Sequence, residues 1–287
     1  TRSWIVTGVQ TCALPISINP KDPEIDENLV RHMVLNSLRL HRRKFTDEYG
    51  ELVICCDDKN NWRKDVFPLY KANRKKDRGE SSLDWPAIFT ILDQIKQELR
   101  ENFPYKVVQI ERAEADDVIA TLCHEFGYLG IAPESADQIL ILSSDKDFGQ
   151  LQKYANVSQY SPVGKKFIRV TNPAQFLNEH IIKGDRGDGI PNFLSDDDVF
   201  VAGKRSKPIR HAKLTEWSIQ DPKEYCSEAM MRGWQRNKVL IDLDLIPQNI
   251  RDEVINEYEG QTPERNKLFN YFVKKQLKNL MEHIGDF

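Results

Sequence analysis

Apolar and polar positions follow two different periods along this chain, and each period predicts a different kind of element. Over residues 29–40 and 85–101, apolar side chains recur every three or four positions, as in amphipathic helices. A further helix is predicted over residues 113–126. Short apolar runs bounded by polar residues predict three buried strands, at residues 52–56, 105–110 and 138–142.

The second half of the chain has a different pattern. Residues 157–160 and 166–170 predict a hairpin, and the pattern is mostly helical from residue 172, interrupted by a glycine-rich loop at 184–192. Strands separated by helices predict an α/β fold with a mainly parallel sheet covered by helices, followed by a helical C-terminal domain. We expect the α/β core at 17–177 and the helical domain at 178–287, since 287 residues suit about two domains.

The first sixteen residues resemble foreign sequence. The string VTGVQTCALPI at residues 6–16 matches the translation of a common sequencing adapter. A signal peptide is the competing interpretation, but the continuous apolar region of such a peptide is missing. We therefore expect residues 1–16 to be non-native and the native sequence to begin near Ser17 or Ile18.

Composition narrows the class of protein. The chain is 40% hydrophobic and 30% charged, and no apolar run approaches the ~20 residues of a membrane span. None of the five cysteines forms a C-x-x-C pair, which favours buried thiols in a reducing cytoplasm over zinc sites or disulfides. We expect a cytoplasmic protein with no membrane partner. The net charge of −3 conceals separate clusters of acidic and basic residues.

Seven acidic residues lie where the predicted strands end or just beyond. Each could separately complement a helix dipole, cap a helix or form a turn. Together they would repel one another unless cations neutralised them, and oxygen ligands without a neighbouring histidine or cysteine favour Mg²⁺ or Mn²⁺. Two such ions ~3.5–4 Å apart can hold the attacking and leaving oxygens of a phosphoryl displacement. The seven are Asp57, Glu114, Asp116, Asp145, Asp147, Asp185 and Asp188.

Basic residues form two further clusters. Between residues 60 and 82 cations alternate with Trp62, Phe67 and Tyr70, which predicts a channel for a single nucleic-acid strand, with a solvated loop as the alternative. Lys204 and Arg205 open a second cluster that suits duplex backbone or a solvent-facing surface. Gly187 and Gly189 would let backbone amides approach phosphates. The cations of the first cluster are Arg63, Lys64, Lys71, Arg74, Lys75 and Lys76.

Three of the acidic motifs carry a specific resemblance. Glu114-Ala-Asp-Asp117, Ser-Ser-Asp145-Lys-Asp147 and Gly-Asp185-Arg-Gly-Asp188-Gly-Ile-Pro-Asn192 resemble, in order and spacing, the signature of the flap-endonuclease and 5′-3′ exonuclease superfamily. The similarity is greatest to the ribonuclease H (5′-nuclease) group of T-even-like phages and extends over residues 17–287. The resemblance implies a PIN-like nuclease core that hydrolyses phosphodiester bonds.

The resemblance also implies roles for the site residues. Asp57, Glu114, Asp116 and Asp145 would hold a first Mg²⁺, and Asp147, Asp185 and Asp188 a second, with Mn²⁺ as a substitute. Tyr70, Lys71 and Arg74 would lie at the base of a flexible arch, where the aromatic ring stacks on a nucleotide and the cations draw the phosphate toward the metals. A monovalent cation would lie near the 184–192 loop.

The expected substrates are branched or 5′-ended DNA and RNA–DNA duplexes. A phage enzyme of this kind would remove RNA primers during lagging-strand synthesis, with a single-strand-binding protein and a sliding clamp as expected partners. The last residues, with apolar positions Leu277, Leu280, Met281 and Ile284, favour a packed terminal helix over a partner-docking tail.

One departure from the family pattern matters. The family's first strand carries a metal-binding Asp, and the adapter-like segment occupies its place, so we expect one ligand and one strand to be missing. Asp22 and Asp26 lie nearby but align with the polar stretch before the helix. The alternative function is therefore a structure-selective DNA-binding protein with little catalysis. A PIN-type RNA-processing nuclease is a third hypothesis.

Overall fold

The structure is a computed structural model that describes residues 4–8, 26–79 and 83–287, without the side chains of residues 4–8 and 75–77. Expectations that concern residues 9–25, including Asp22, lie outside the described residues.

The centre of the fold is a six-stranded sheet with the order β3-β2-β1-β4-β5-β6. The first five strands run parallel, and β6 is antiparallel to β5. This confirms the predicted parallel sheet and the predicted hairpin. The strands are β1 (Trp4–Gly8), β2 (Glu51–Cys56), β3 (Lys106–Gln109), β4 (Ile139–Leu142), β5 (Val157–Ser161) and β6 (Lys166–Ile168).

The strand that was expected to be missing is present, so that prediction was wrong. β1 pairs in parallel with β2 on one side and with β4 on the other. Thr7, for example, lies opposite Ile54 of β2 and opposite Leu142 of β4. Tryptophan, isoleucine, valine and threonine all favour strands, whatever their origin. However, the sequence WIVTG at residues 4–8 contains no Asp or Glu. The described strand therefore supplies no carboxylate.

Helices cover both faces of the sheet, as predicted. Asp26 and Asp84 cap the N-termini of two of the longest helices. Their side chains accept hydrogen bonds from Asn28 N (2.8 Å) and Ala87 N (3.0 Å), respectively. The helices are α1 (Glu27–Tyr49), α2 (Arg63–Val66), α3 (Ala72–Gly79), α4 (Trp85–Asn102), α5 (Ala115–Phe126), α6 (Pro173–Lys183), α7 (His211–Ser218), α8 (Pro222–Tyr225), α9 (Glu228–Ile241), α10 (Gln248–Gly260), α11 (Leu268–Lys274) and α12 (Lys278–Met281). Among the described residues, 3₁₀ helices span Lys146–Lys153, Leu243–Leu245 and Ile284–Asp286.

Two apolar cores hold the layers together. On one face of the sheet, α1 and α4 pack with α11 and the C-terminal Phe287, which is fully buried. On the other face, α5 and α10 pack with the Lys146–Lys153 helix. Residues of the helical C-terminal part therefore contribute to both cores. The predicted packing of the chain's last residues is confirmed, since Leu277 and Leu280 are buried. The prediction of one terminal helix was wrong, because this segment forms α11, α12 and the Ile284–Asp286 helix in succession.

Several other expectations can be compared with the described residues. Cys55, Cys56 and Cys123 are buried free thiols, and Cys226 is a half-buried one. Among the described helices none combines the length and the apolar character needed to cross a membrane. The division of the chain near residues 177 and 178 stays a proposal, and α6 runs continuously across that position.

Candidate metal centre and nucleic-acid interface

The carboxyl edge of the sheet holds the first group of acidic side chains. Asp57 directly follows β2, and its Oδ1 accepts a 2.7 Å hydrogen bond from the amide of Ala115, at the first turn of α5. Glu114 is the residue before α5, and Asp116 lies in the first turn of that helix. Because β2 and β3 are parallel neighbours, the loops after them meet at the same edge of the sheet.

The second group follows β4 and α6. Asp145 begins the Lys146–Lys153 helix by accepting a 3.0 Å hydrogen bond from the amide of Asp147. Asp185 and Asp188 lie in the loop after α6, where Asp185 pairs with Ile190 in an isolated bridge. The charges of Asp145, Asp185 and Asp188 all act on Asp147, and that of Asp145 acts on Asp116. The structure thus brings together the seven predicted carboxylates, hereafter the carboxylate cluster.

Three basic or phenolic side chains join the two groups. The Tyr70 hydroxyl lies 2.8 Å from Glu114 Oε2 and 2.9 Å from Asp188 Oδ2. Lys71 Nζ contacts Glu114 and lies 3.5 Å from Asp188, and Arg74 Nη2 lies 2.5 Å from Asp188 Oδ1. Lys71 has a φ of 56°, and its amide donates to Asp188 O at 2.8 Å. A non-glycine residue in this left-handed region is often a sign of a functional position.

Tyr70 differs from the expected stacking platform. Its ring is 3% exposed and packs with Phe67, Ile181 and Ile190. A ring buried in this way presents no face to a nucleotide. Its hydroxyl instead lies within hydrogen-bond distance of both Glu114 and Asp188, and its single proton is shared between these two carboxylates.

Arg63 also differs from its predicted place in a strand-binding channel. It is 3% exposed, and its guanidinium donates to Asp117 at 2.7 and 3.0 Å, to Glu114 Oε2 at 3.2 Å and to Leu240 O at 2.9 Å. Asp117 also accepts from Trp62 Nε1 at 3.1 Å. A buried guanidinium with these partners supports Glu114 from behind and is not available to phosphates. No local pattern predicts this pairing, because Asp117 lies 54 positions from Arg63 along the chain.

The pKa values of the carboxylates in the cluster are shifted in opposite directions. Burial alone would raise the pKa of Glu114, but Lys71 and Arg63 lower it to about 2. Burial and the negative charges of Asp145 and Glu114 hold the pKa of Asp116 well above its usual range. Burial and three neighbouring carboxylates raise the pKa of Asp147 to about 7, against the effect of His180. At Asp116 and Asp147, burial and the neighbouring carboxylates therefore outweigh the positive charges of Lys71 and His180.

His180 is a site residue that sequence reasoning missed. It lies in the last turn of α6, is 6% exposed and stands between Asp147 and Asp185. The expectation of a site without a neighbouring histidine was wrong. The available signal was its position at the end of the predicted helix, five residues before Asp185.

The donor set fits a divalent cation. One ligand atom each from Asp147, His180 and Asp185 lie within 4.8 Å of one another. Asp147 Oδ1 and His180 Nδ1 are buried and have no hydrogen-bond partner among the described residues. Since buried polar atoms are normally paired, a cation between them would satisfy both atoms.

The remaining predicted contact residues are exposed wherever their side chains are described. Lys64 and Arg205 are exposed, and exposed Lys204 pairs with Asp198 at 3.0 Å. The side chains of Lys75 and Lys76 lie outside the described residues.

The glycine-rich loop is arranged differently from the expectation that its amides face phosphates. The Gly187 amide donates to Asp185 Oδ1 at 2.7 Å, and the Gly189 amide donates to Arg186 O at 3.2 Å. Gly189 has a φ of +71°, and a Cβ there would lie 3.2 Å from Leu69 O. The glycine therefore allows the loop to approach the segment that carries Lys71.

Comparison with known protein families gives two matches that together span most of the chain. The family model for the 5′-3′ exonuclease N-terminal resolvase-like domain matches residues 25–180. The model for the C-terminal part of T4 RNase H matches residues 175–287.

Comparison with individual proteins agrees with these family matches. The chain is 35% identical over 280 residues to the ribonuclease H of Enterobacteria phage T4, covering 93% of this chain and 90% of that protein. It is 29% identical over 228 residues to a 5′-3′ exonuclease of Buchnera aphidicola, covering 71% and 72% of the two chains. Among solved structures, the T5 D15 protein co-crystallised with metal ions superposes with a TM-score of 0.61 at 17% identity, covering 90% and 97%. The T5 D15 flap endonuclease in complex with DNA and metal ions gives 0.58 at 16% identity, covering 90% and 100%.

Proposed function

We propose that this chain, which belongs to the 5′-3′ exonuclease family of nucleases, is a Mg²⁺-dependent 5′→3′ exonuclease and flap endonuclease that removes RNA primers and adjoining DNA. Family membership establishes the class of enzyme. The metal, the substrates and the roles of individual residues are the proposal.

The observation that carries the proposal is the juxtaposition of opposite charges at one edge of the sheet. Tyr70, Lys71 and Arg74 all contact Glu114 or Asp188 within the carboxylate cluster. Cations beside a group of carboxylates suit a phosphodiester substrate. The cations would bind the phosphate directly, and metal ions would bind both the phosphate and the carboxylates.

The residues of the cluster divide into two proposed metal positions. Asp57, Glu114, Asp116 and Asp145 would hold the first ion, and Asp147, Asp185 and Asp188 the second, with Mn²⁺ as a substitute for Mg²⁺. When bound, the two ions activate a water molecule and stabilise the leaving oxygen.

The protein's own groups have separate tasks. Lys71 and Arg74 orient the scissile phosphate through charge-assisted hydrogen bonds. Tyr70 and Arg63 fix Glu114, so that its carboxylate does not turn away when a phosphate draws Lys71 from it. Tyr70 is thus a positioning residue, and not the stacking residue that the resemblance implied.

The nucleic acid would follow the cations of the two basic clusters. Lys64, Lys75 and Lys76 would contact a single strand, and Lys204 and Arg205 would contact duplex backbone. Such contacts recognise charge and shape and carry no sequence information. Two further expectations stay proposals: a monovalent cation near the 184–192 loop, and association with a single-strand-binding protein and a sliding clamp.

One observation favours the alternative of binding with little catalysis. β1 lies between the strands that lead to Asp57 and to Asp145, and residues 4–8 carry no carboxylate. Thr7→Asp and Gly8→Asp would each restore one. Because neighbouring strand residues face opposite sides of the sheet, only one of the two is expected to increase cleavage. Equal cleavage by the original chain and both variants would show that this position needs no ligand.

Substrate preference tests the function itself. We expect the protein with Mg²⁺ to release short products from a 5′-flap duplex and from an RNA–DNA hybrid, and a bulky block on the 5′ end to inhibit release. Preference for unstructured single-stranded RNA would instead support a PIN-type RNA-processing nuclease. Flap binding without cleavage, even after a carboxylate is restored on β1, would support the DNA-binding alternative.

A further inference from the structure

The end of helix α9 is hydrogen-bonded to two of the segments that carry the carboxylate cluster. Residues 237–243, hereafter the α9 end, comprise the last residues of that helix and the start of the Leu243–Leu245 helix. Two carboxamides make these contacts: Asn237, which is fully buried, and Gln150, which is 4% exposed. Burying a carboxamide is unfavourable unless its donors and acceptor are paired, so the partners of these side chains determine their role.

Asn237 holds both ends of the loop that carries Asp185 and Asp188. Its Nδ2 donates to Ile181 O and to Pro191 O, each at 2.8 Å. Ile181 lies in the last turn of α6, where carbonyls have no partner within the helix, and Pro191 follows the loop. The carboxamide therefore fixes the base of the loop against α9.

The orientation of this carboxamide is fixed by its neighbour. Arg236 Nε donates to Asn237 Oδ1 at 2.9 Å, and Arg236 Nη2 donates to Pro191 O at 3.0 Å. A reversed carboxamide would place its NH₂ group against a guanidinium and its oxygen against two carbonyls. The helix also approaches the chain after the loop closely, since a Cβ on Gly233 would lie 2.2 Å from Phe193 O.

Gln150 joins the Lys146–Lys153 helix to the same segment. Its Nε2 donates to Asp147 O at 3.0 Å and to Ile241 O at 3.1 Å, and its Oε1 accepts from the amide of Leu243 at 2.9 Å. The Lys146–Lys153 helix and the loop after α6 are therefore both attached to the α9 end, although they are separate elements.

This arrangement bears on the second proposed metal position. Asp147 comes from one of the two attached segments, and Asp185 and Asp188 come from the other. Mg²⁺ requires a nearly ideal octahedron of oxygens at about 2.0–2.1 Å, so a small change in the distance between the segments would weaken its binding.

We propose that Asn237 and Gln150 are positioning residues that set the distance between the two segments of the second metal position. The inference deepens the proposed function and rests on its assignment of Asp147, Asp185 and Asp188 to that position. Both carboxamides act through backbone groups and not through contact with the metal or the substrate.

The test combines metal binding with cleavage. Mn²⁺ binding to the metal-free protein is measured from the electron paramagnetic resonance signal of the free ion. The Mg²⁺ concentration for half-maximal flap cleavage is measured in single-turnover assays. Asn237→Leu and Gln150→Met keep most of the side-chain volume and remove the hydrogen bonds. We expect each to weaken one of two Mn²⁺ sites about tenfold and to raise the half-maximal Mg²⁺ concentration similarly, while saturating Mg²⁺ restores most of the rate.

Asn156→Leu is the matched control. Asn156 is 1% exposed, and its Nδ2 donates to Phe126 O at 3.0 Å and to Asp137 O at 2.7 Å, the same pattern as at Asn237. It directly precedes β5, at the amino end of the parallel strands and opposite to the carboxyl edge. This variant should lose stability in urea as Asn237→Leu does, with no change in Mn²⁺ binding or in the half-maximal Mg²⁺ concentration.

Unchanged Mn²⁺ binding in folded Asn237→Leu and Gln150→Met would overturn the inference. An equal loss of Mn²⁺ binding in Asn156→Leu would overturn it too, because any loosening of the fold would then have the same effect. Circular dichroism establishes that the variants are folded. If Asn237→Leu does not fold, Asn237→Ser replaces it, since a serine hydroxyl can still donate one hydrogen bond.

The two readouts also separate this inference from the proposed function. Normal flap cleavage by the original protein, with unchanged Mn²⁺ binding in the variants, would contradict the inference alone. Weakened Mn²⁺ binding in the variants, without Mg²⁺-dependent cleavage by the original protein, would contradict the proposed function alone.

Discussion

Replacing Arg63 should cost more stability than replacing any exposed arginine of this chain. The guanidinium is 3% exposed and is the buried cation that faces Asp117, itself fully buried, at 2.7 Å. Arg63→Met removes the cation and leaves a carboxylate without a charge partner in a dry environment. Removing one partner of a buried ion pair typically costs about 3–5 kcal/mol. We expect a loss of that size in the free energy of unfolding, measured in urea by circular dichroism.

A matched control separates burial from charge. Arg112 also pairs with a carboxylate, Asp65, but both side chains are exposed, at 48% and 69%. Arg112→Met should cost only about 0–1 kcal/mol. Neutralising the stranded carboxylate should recover part of the loss, so the double variant Arg63→Met/Asp117→Asn should be more stable than Arg63→Met alone.

Two results would refute this reasoning. Equal losses for Arg63→Met and Arg112→Met would mean that the buried pair contributes no more than a surface pair. A double variant less stable than Arg63→Met would mean that Asp117 is stabilised by its neutral hydrogen bonds and not by the guanidinium.

Three further predictions concern the site. Lys71→Met should lower the cleavage rate on the order of 10²–10³-fold, as removal of a preorganised charge does. Lys278→Met, at an exposed position of α12, should change it by less than about threefold, and equal effects in single-turnover assays would contradict the role of Lys71. Gly184→Ala places a Cβ 2.4 Å from Ile190 O at a φ of +66°, so it should strongly lower the free energy of unfolding. Gly203→Ala has a similar φ of +65° but open space around the new Cβ, so it should cost only about 1–2 kcal/mol in the same urea assay. Burial and neighbouring carboxylates raise the pKa of Asp147 from 3.8 to about 7, so the metal-free folded protein holds a proton that the unfolded chain releases. Its stability should therefore fall as pH rises from about 4 to about 7, and Asp147→Asn should flatten that fall; an unchanged profile in the variant would assign the effect elsewhere.

The sequence predicted the elements better than the contacts between them. Apolar periodicity located the parallel strands and their covering helices, because burial on both faces leaves a clear local pattern. The ends of the strands then located the acidic residues, since parallel strands bring their carboxyl ends to one edge. We did not predict β1, because we excluded residues 1–16 as foreign sequence and did not consider their strand propensity.

The residues whose surroundings we predicted wrongly have one physical feature in common. Arg63 and Tyr70 looked like surface cations and aromatics in a polar stretch, yet both are buried through partners distant in the chain, Asp117 and Asp188. His180 was overlooked for the same reason, because its two carboxylate neighbours come from separate elements. Local sequence carries no record of such tertiary pairing.

Metal add-back with one neutralised carboxylate tests the central claim most directly. A 5′-flap duplex is incubated with the metal-free protein, and Mg²⁺ is then restored, with product lengths as the readout. We expect Mg²⁺ to restore release from the 5′ end and EDTA to abolish it. Asp145→Asn should fail to respond, whereas exposed Asp93→Asn should respond normally. Cleavage by Asp145→Asn at the original rate, or cleavage that EDTA does not affect, would contradict a nuclease built on this carboxylate cluster.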